Sequence, residues 1–466
     1  MPETILRPAA PEAFEQFGSA LSGWRDTLAV GAQHSAGVGR VYVLVWNGAA
    51  WTEQARLQAS DASGLDKFGA AVALSGDVLV VGAPFGGPQS GGQAYVFRRN
   101  GTAWTEEALL TPSVAGPYGF GQSVAIDGDD VLVGGNQAAY FFRRSAAGWT
   151  ETARVTAPGG AIGSHFGTAV ALHGDDAIVG DDWSGGAAPH HGSACLFRRN
   201  GTAWDLVLPV LTAPDAAAYD HFGQAVAIHQ DRAIVGAPGV SGGGVGDAGA
   251  AYVYVRAGSA WGVEQKLEPQ AVDLPHLVHD FGAAVSLWRD FALVGNPTDH
   301  HPYPGSGAAH LFQRRGSGWL RVPPVLRAGS SYQFDYYGRA VSVSDAGAFV
   351  GAPDVRVTDY DQGLVYGYAL PADLGSRLLV DRDWSRYVDV LFGLIRGGPG
   401  VVIKPGAGPV PVDPEPVVDW RDLDRSVRQR VVGEALTRLA DTVEDGKLRQ
   451  QLQAVAKAVT KKALPK

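Results

Sequence analysis

The sequence predicts an all-β, seven-bladed β-propeller closed by its own N-terminal strand, with a C-terminal α-helical extension. Three observations predict it: a repeated aromatic-glycine pair, a second glycine at a constant distance, and a tryptophan in every unit but the last. The pairs are Phe17-Gly18, Phe68-Gly69, Phe120-Gly121, Phe166-Gly167, Phe222-Gly223, Phe281-Gly282 and Tyr337-Gly338, and fourteen residues after each aromatic stand Gly31, Gly82, Gly134, Gly180, Gly236, Gly295 and Gly351. Successive pairs lie 46 to 59 residues apart, the length of one four-stranded blade.

Each unit reads as four strands. In "FGAAVALSGDVLVVGAP", residues 68–84, a strand of small alternating residues leads through a short turn to an apolar strand. Small side chains suit the innermost strand, where the blades converge. A third strand such as "GQAYVFRR" follows, and then a fourth that carries Trp51, Trp104, Trp149, Trp204, Trp261 or Trp319. The pairs Asn100-Gly101 and Asn200-Gly201 fall between strands three and four and predict type I′ turns. The seventh unit has no such tryptophan. Leu6 lies 11 residues before Phe17, as Leu57 does before Phe68 and Leu211 before Phe222. Thr4–Arg7 is therefore expected to supply the missing strand and close the ring, which removes exposed edges.

The propeller is expected to span residues 1–370. Beyond it, Trp384, Tyr387, Val388, Leu391, Leu394 and Ile395 follow helical spacing, so 371–396 reads as an amphipathic helix. A Pro/Gly-rich linker covers 397–416, and 417–466 reads as a helical segment offering an oligomer or assembly contact.

These repeats resemble FG-GAP repeats, the units of integrin α-subunit propellers and of many bacterial proteins. The resemblance covers residues 1–370 and implies a propeller fold with a binding role. It also implies D-x-D-x-D-G calcium loops between the first two strands of a blade. Here those turns read "SGD", "DGDD", "HGDD", "HQDR" and "WRDF", too short for that oxygen cage. No cofactor is expected; calcium is left open as the alternative, although the family-type calcium loops are absent. The half-motif Asp359-x-Asp361-x-Gly363 marks Asp359 and Asp361 as the candidate metal position.

Composition narrows the function. The net charge is −9 over 466 residues. From Asp419 onward 11 Lys/Arg face 7 Asp/Glu, or +4, leaving −13 for the rest. An acidic propeller does not suit nucleic acid. No apolar run is long enough to insert in a membrane. The N-terminus has no basic region followed by an apolar one, so no signal peptide is read and the expectation is a cytoplasmic protein or export by a non-classical route. The single cysteine, Cys195, reads as a buried small hydrophobe. Gly239-Val240-Ser241-Gly242-Gly243 has the letters of a nucleophile elbow but lacks its strand–turn–helix setting. No enzyme is expected, a hydrolase or lyase being the least favoured reading, and a scaffold acting through the helical tail comes between.

Loop length locates the expected binding surface. Turns between strands one and two and between three and four share one face and are short. Loops between strands two and three, and from strand four to the next blade, share the other and are long and aromatic. On that face Trp183, His190, His191, Tyr303, Tyr332, Tyr336 and Tyr360 are the candidate ligand-binding residues, for a protein or glycan partner. His165, His221 and His279 precede the repeat motif and read as framework.

Overall fold

The structure, a computed structural model, describes residues 3–87, 90–114, 118–159, 164–185, 189–241, 248–269, 280–316, 318–329, 332–356 and 361–370. The chain divides after Leu370 into two units. The second, 371–466, lies outside the described residues, and with it the helices and linker expected there.

Seven four-stranded antiparallel sheets follow one another along the first unit. The blades begin with innermost strands Phe17–Trp24, Ala71–Ser75, Ser123–Asp127, Val170–His173, Ala225–His229, Ala284–Trp288 and Ala340–Ser344. In the last blade the outermost strand is Glu3–Leu6, paired with Leu364–Tyr368 from Glu3↔Tyr368 to Leu6↔Val365. The ring is closed by the N-terminus one residue earlier than the spacing predicts. Only Leu6 of this strand is buried; Ile5 is 52% exposed.

The constant offset between glycines has a steric cause. Gly121 N donates to Gly134 O within its blade at 2.9 Å. The second glycine of each blade then backs onto the first glycine of the next. A Cβ on Gly82 would lie 1.8 Å from Gly121 O, and one on Gly351 would lie 2.1 Å from Gly18 O across the closing seam. No side chain fits at such distances, so the pair marks each inter-blade contact.

The aromatics have equally specific duties. In the first three blades the phenylalanine of the pair packs edge-on against the third residue of the third strand: Phe17 on Tyr42 at 5.3 Å, Phe68 on Tyr95 at 5.4 Å, Phe120 on Tyr140 at 5.3 Å. Blade four has Cys195 in that tyrosine slot and blade six has His310. Cys195 is 1% exposed, and burial pushes its thiol up to about 12, which makes it inert. Three of the fourth-strand tryptophans latch one blade to the one before through the indole N–H. Trp104 Nε1 donates to Gln54 Oε1 at 2.9 Å, Trp149 Nε1 to Glu107 Oε1 at 3.1 Å, and Trp319 Nε1 to Glu264 Oε2 at 2.9 Å.

The hairpins between strands three and four depart from the expected type. Asn100 pairs with Ala103, so the two central residues are Gly101 and Thr102, and only Gly101 has positive φ, at 63°. That is the pattern of a type II′ turn, with glycine first. Gly201 repeats it at 64°, and Asn200 is freed to donate to Asp205 Oδ2 at 2.8 Å.

Candidate functional site

The long loops are held in place by their own backbone. Around the ring the loop after strand two is hydrogen-bonded to the loop that leads into the next blade. Leu65 N donates to Gly37 O, Tyr219 N to Pro189 O and Phe334 N to Pro304 O, at 2.9–3.0 Å. Left-handed residues recur at fixed places there. Gln16, Lys67, His221, Asp280 and Tyr336, each just before the motif aromatic, have φ of 50–58°, and Phe14, Leu65, Tyr219 and Phe334 have φ of 60–71°. Such values are uncommon for non-glycine residues. Here Phe14, Leu65, Tyr219 and Phe334 are 53–78% exposed.

The outcome is an asymmetric surface. Of the 17 large hydrophobics exposed among the described residues, ten lie on the long-loop face: Phe14, Leu65, Phe85, Val114, Tyr118, Trp183, Tyr219, Tyr303, Tyr332 and Phe334. Five are on outermost strands, and only Trp24 and Trp46 lie at the short-turn end. On the short-turn face rings cover one another instead. His173 and His229 are 4.6 Å apart, and Arg289 lies 4.3 Å over Trp288.

The tightest constellation lies between blades four and five. Asp182, 7% exposed, sits at its base, with His165 Nδ1 3.2 Å from Oδ1 and His221 Nδ1 3.7 Å from Oδ2. His165 stacks on Trp183 at 4.2 Å, Trp183 meets His190 at 4.6 Å, and His190 lies 6.3 Å from His221 in a near-parallel arrangement. Tyr219 adjoins His190 at 5.5 Å. These contacts form a closed circuit of four rings and one carboxylate. Burial raises the Asp182 carboxyl, against the opposing pull of His165 and His221. Asp181 below it is also raised by burial, although its Oδ1 accepts the His165 N–H at 2.9 Å.

Of the predicted residues, Trp183 and His190 meet here. His191 instead has its Nδ1 2.7 Å from Gly192 O. Tyr303 and Tyr332 are 47% and 64% exposed, two blades further round, and Tyr336 lies 6.2 Å from Phe334. Tyr360 and Asp359 lie outside the described residues. Asp361 Oδ1 is 3.7 Å from Arg356 Nε, and its carbonyl accepts the Gln16 N–H. Among the described residues no group of three or more His, Cys, Asp and Glu is placed to hold a metal. His165 and His221, read as framework from sequence, are members of the cluster. His279 lies outside the described residues.

The inner turns show what their aspartates do. Asp77 Oδ1 accepts from Arg99 Nε at 2.8 Å and Asp175 Oδ1 from Arg199 Nε at 3.0 Å. In these two-residue turns the carboxylates serve third-strand arginines.

Fold and surface thus define a closed repeat propeller whose chemical variety is gathered on one face. The chain is a propeller of FG-GAP repeats: the FG-GAP repeat model matches residues 51–97, 104–141, 149–197 and 209–254. Three of these matches begin at a fourth-strand tryptophan, Trp51, Trp104 or Trp149, because the sequence unit runs from the fourth strand of one blade to the third of the next. A chain in the solved structure entitled "Crystal Structure of Mitotic Checkpoint Complex" is similar over 80% of this chain and 95% of its own, at 13% identity and a TM-score of 0.48. No curated protein matches the chain.

Proposed function

We propose that this chain is a non-enzymatic binding module that takes a protein or glycan partner on its long-loop face. The concentration there of ten of the 17 large hydrophobics exposed among the described residues supports this reading. Exposed aromatics on backbone-clamped loops suit recognition, because little ordering entropy is lost when they are covered. Nucleic acid and membrane insertion are not part of the proposal.

The test is capture by the intact chain, on a glycan array and by crosslinking in the source cell. Replacing Trp183, Tyr303 or Phe334 by alanine should weaken capture about tenfold or more in at least one case, with circular dichroism unchanged. Trp24→Ala, on the other face, should leave capture intact. Loss of capture only in Trp24→Ala would place the binding surface on the short-turn face.

A further inference from the structure

We propose that the partner of the long-loop face is a basic polypeptide, a lysine- or arginine-rich segment that also carries apolar side chains. The proposal rests on that face as the binding surface and names the chemistry of what it takes.

The argument begins with a dipeptide that recurs in four blades. Phe14-Glu15, Leu65-Asp66, Tyr219-Asp220 and Phe334-Asp335 stand at the same place, just ahead of the motif aromatic. The first residue has a left-handed backbone and is 53–78% exposed. The second is a carboxylate only 0–5% exposed. Each unit thus presents an apolar side chain to solvent with an acid directly behind it in the chain.

Those acids belong to a wider imbalance. The described residues up to 370 include 31 Asp/Glu and 22 Lys/Arg, or −9. The loops after strands two and four hold 13 of these acids and 5 of the bases, or −8, which leaves −1 for the strands and short turns together. The excess is not paired internally. Asp61, Asp66, Asp220, Asp280, Asp335 and Asp354 form no ion pair with another described residue. They accept from neutral donors instead, such as Tyr95 OH and the Ala217 N–H at 2.7 Å and Thr298 OH at 2.8 Å. A neutral donor satisfies a carboxylate without cancelling its charge.

The two properties together choose the partner. Exposed apolar side chains gain by being covered with other apolar groups, and a field of one sign selects a partner of the other. A neutral glycan would leave the −8 of the loops unmatched, and an acidic one would be repelled. A basic polypeptide brings cationic heads to the carboxylates, and the apolar stems of its lysines and arginines add to the cover. The same field speeds its encounter with the face.

The experiment uses the full chain at neutral pH, and the probe is a display library of random short peptides, with a glycan array run in parallel. Enriched peptides should be net positive and carry aromatic or large aliphatic residues. Their affinity should fall about tenfold between about 0.1 M and 1 M salt, where charges act over roughly 10 and 3 Å. Two variants with the same net charge locate the effect. Asp61→Asn, Asp280→Asn and Asp354→Asn combined should weaken these peptides about tenfold. Asp77→Asn, Asp175→Asn and Asp290→Asn combined, on the short turns, should leave them nearly unchanged. Circular dichroism checks the fold, and if the loop triple does not fold, the single variant Asp280→Asn and the salt dependence decide. Enrichment of neutral or acidic peptides, no enrichment, salt-independent binding, or equal losses in the two triples would each overturn the proposal. So would capture of a neutral glycan in place of peptides. If the proposal fails while Tyr303→Ala or Phe334→Ala still weakens partner capture, the binding face stands without a preference for charge. If those variants also capture normally, the face itself has been misassigned.

Discussion

The two ends of the propeller are built from the same repeat yet handle charge in opposite ways. Toward the short turns, carboxylates are matched with arginines. Glu107 accepts from Arg98, from Arg144 at 2.8 Å and from Trp149 at 3.1 Å. Burial alone would raise it, but these bonds outweigh burial and hold it below the usual carboxylate range. Glu264 is held low in the same way by Arg232, Trp319 and Arg314. At the long-loop end Glu15, Asp181, Asp182, Asp220, Asp335 and Asp354 are all raised, with burial the largest cause in each. Glu12 and Asp215 are the exceptions, lowered where Arg40 and Lys266 reach them against burial. One end is thus internally neutralised. The other retains carboxyl groups and exposed rings that a partner can use. A repeat protein can keep its frame constant and vary the chemistry at one end because the glycine seams and tryptophan latches lie elsewhere.

The largest expected effect comes from opening the ring that carries both ends. Deleting residues 1–8 removes the four-residue ladder to Leu364–Tyr368, the buried Leu6, and the bond from Tyr368 OH to Glu3 at 2.9 Å. Stability should fall by about 3–5 kcal/mol, the scale of losing a buried leucine with its surroundings, read as a lower urea midpoint. Ile5→Ala, at an exposed position, should change it little. Equal stability of the truncated and intact chains would mean that Glu3–Leu6 does not hold the ring shut.

A middle-sized effect separates the two ends. Glu107→Gln strips charge from a centre that serves two arginines and a latch tryptophan. The expected cost is roughly 1–3 kcal/mol, as for hydrogen bonds to charged groups. Partner capture on the long-loop face should not change. Asp182→Asn should show the converse: little loss of stability and a clear change in binding. If the two variants behave alike in both assays, the contrast between the ends has no functional content.

Much of the frame was legible because steric exclusion leaves a countable trace. A Cβ cannot fit at Gly82 or Gly121, so their spacing recurs and the seven blades can be counted. The closing strand was legible from Leu6, whose burial repeats that of Leu57 and Leu211. The hairpin type was misread because Asn-Gly suggests two left-handed residues, whereas the register places Asn100 in the strand and leaves Gly101 alone in that region. The candidate cluster was only half legible. Trp183 and His190 were visible as loop aromatics, but His165 and His221 look like framework in a linear reading. The missed signal is positional: the residue before the motif aromatic is Gln16, Lys67, Gly119, His165, His221, Asp280 or Tyr336. Such variety beside an unvarying pair marks a surface position. Which of these side chains meet depends on the loops joining neighbouring blades, and that pairing has no fixed spacing in sequence.

The smallest effect is one of sign, and it tests the charge contrast directly. Asp335 is 2% exposed, and burial pushes its carboxyl from 3.8 up to about 6, although the Tyr332 N–H, donating at 2.6 Å, pulls the other way. Between those values the folded chain holds a proton that the unfolded chain has released. Stability from this group is therefore fully present below the ordinary carboxyl range and is lost as pH rises through about 6. Glu107, held low, has the opposite sign: its contribution is present above the ordinary carboxyl range and is lost on acidification. Asp335→Asn retains an acceptor for the Tyr332 N–H and removes the titration. Relative to the intact chain its gain in stability should be about 1.5 kcal/mol larger at pH 7 than at pH 5, because roughly half of the cost of a two-unit shift is already present at pH 5. Urea unfolding at the two pH values measures the difference. Parallel profiles for the two chains would show that Asp335 titrates as an ordinary carboxylate, and the long-loop end would then lose one of the groups that sets it apart.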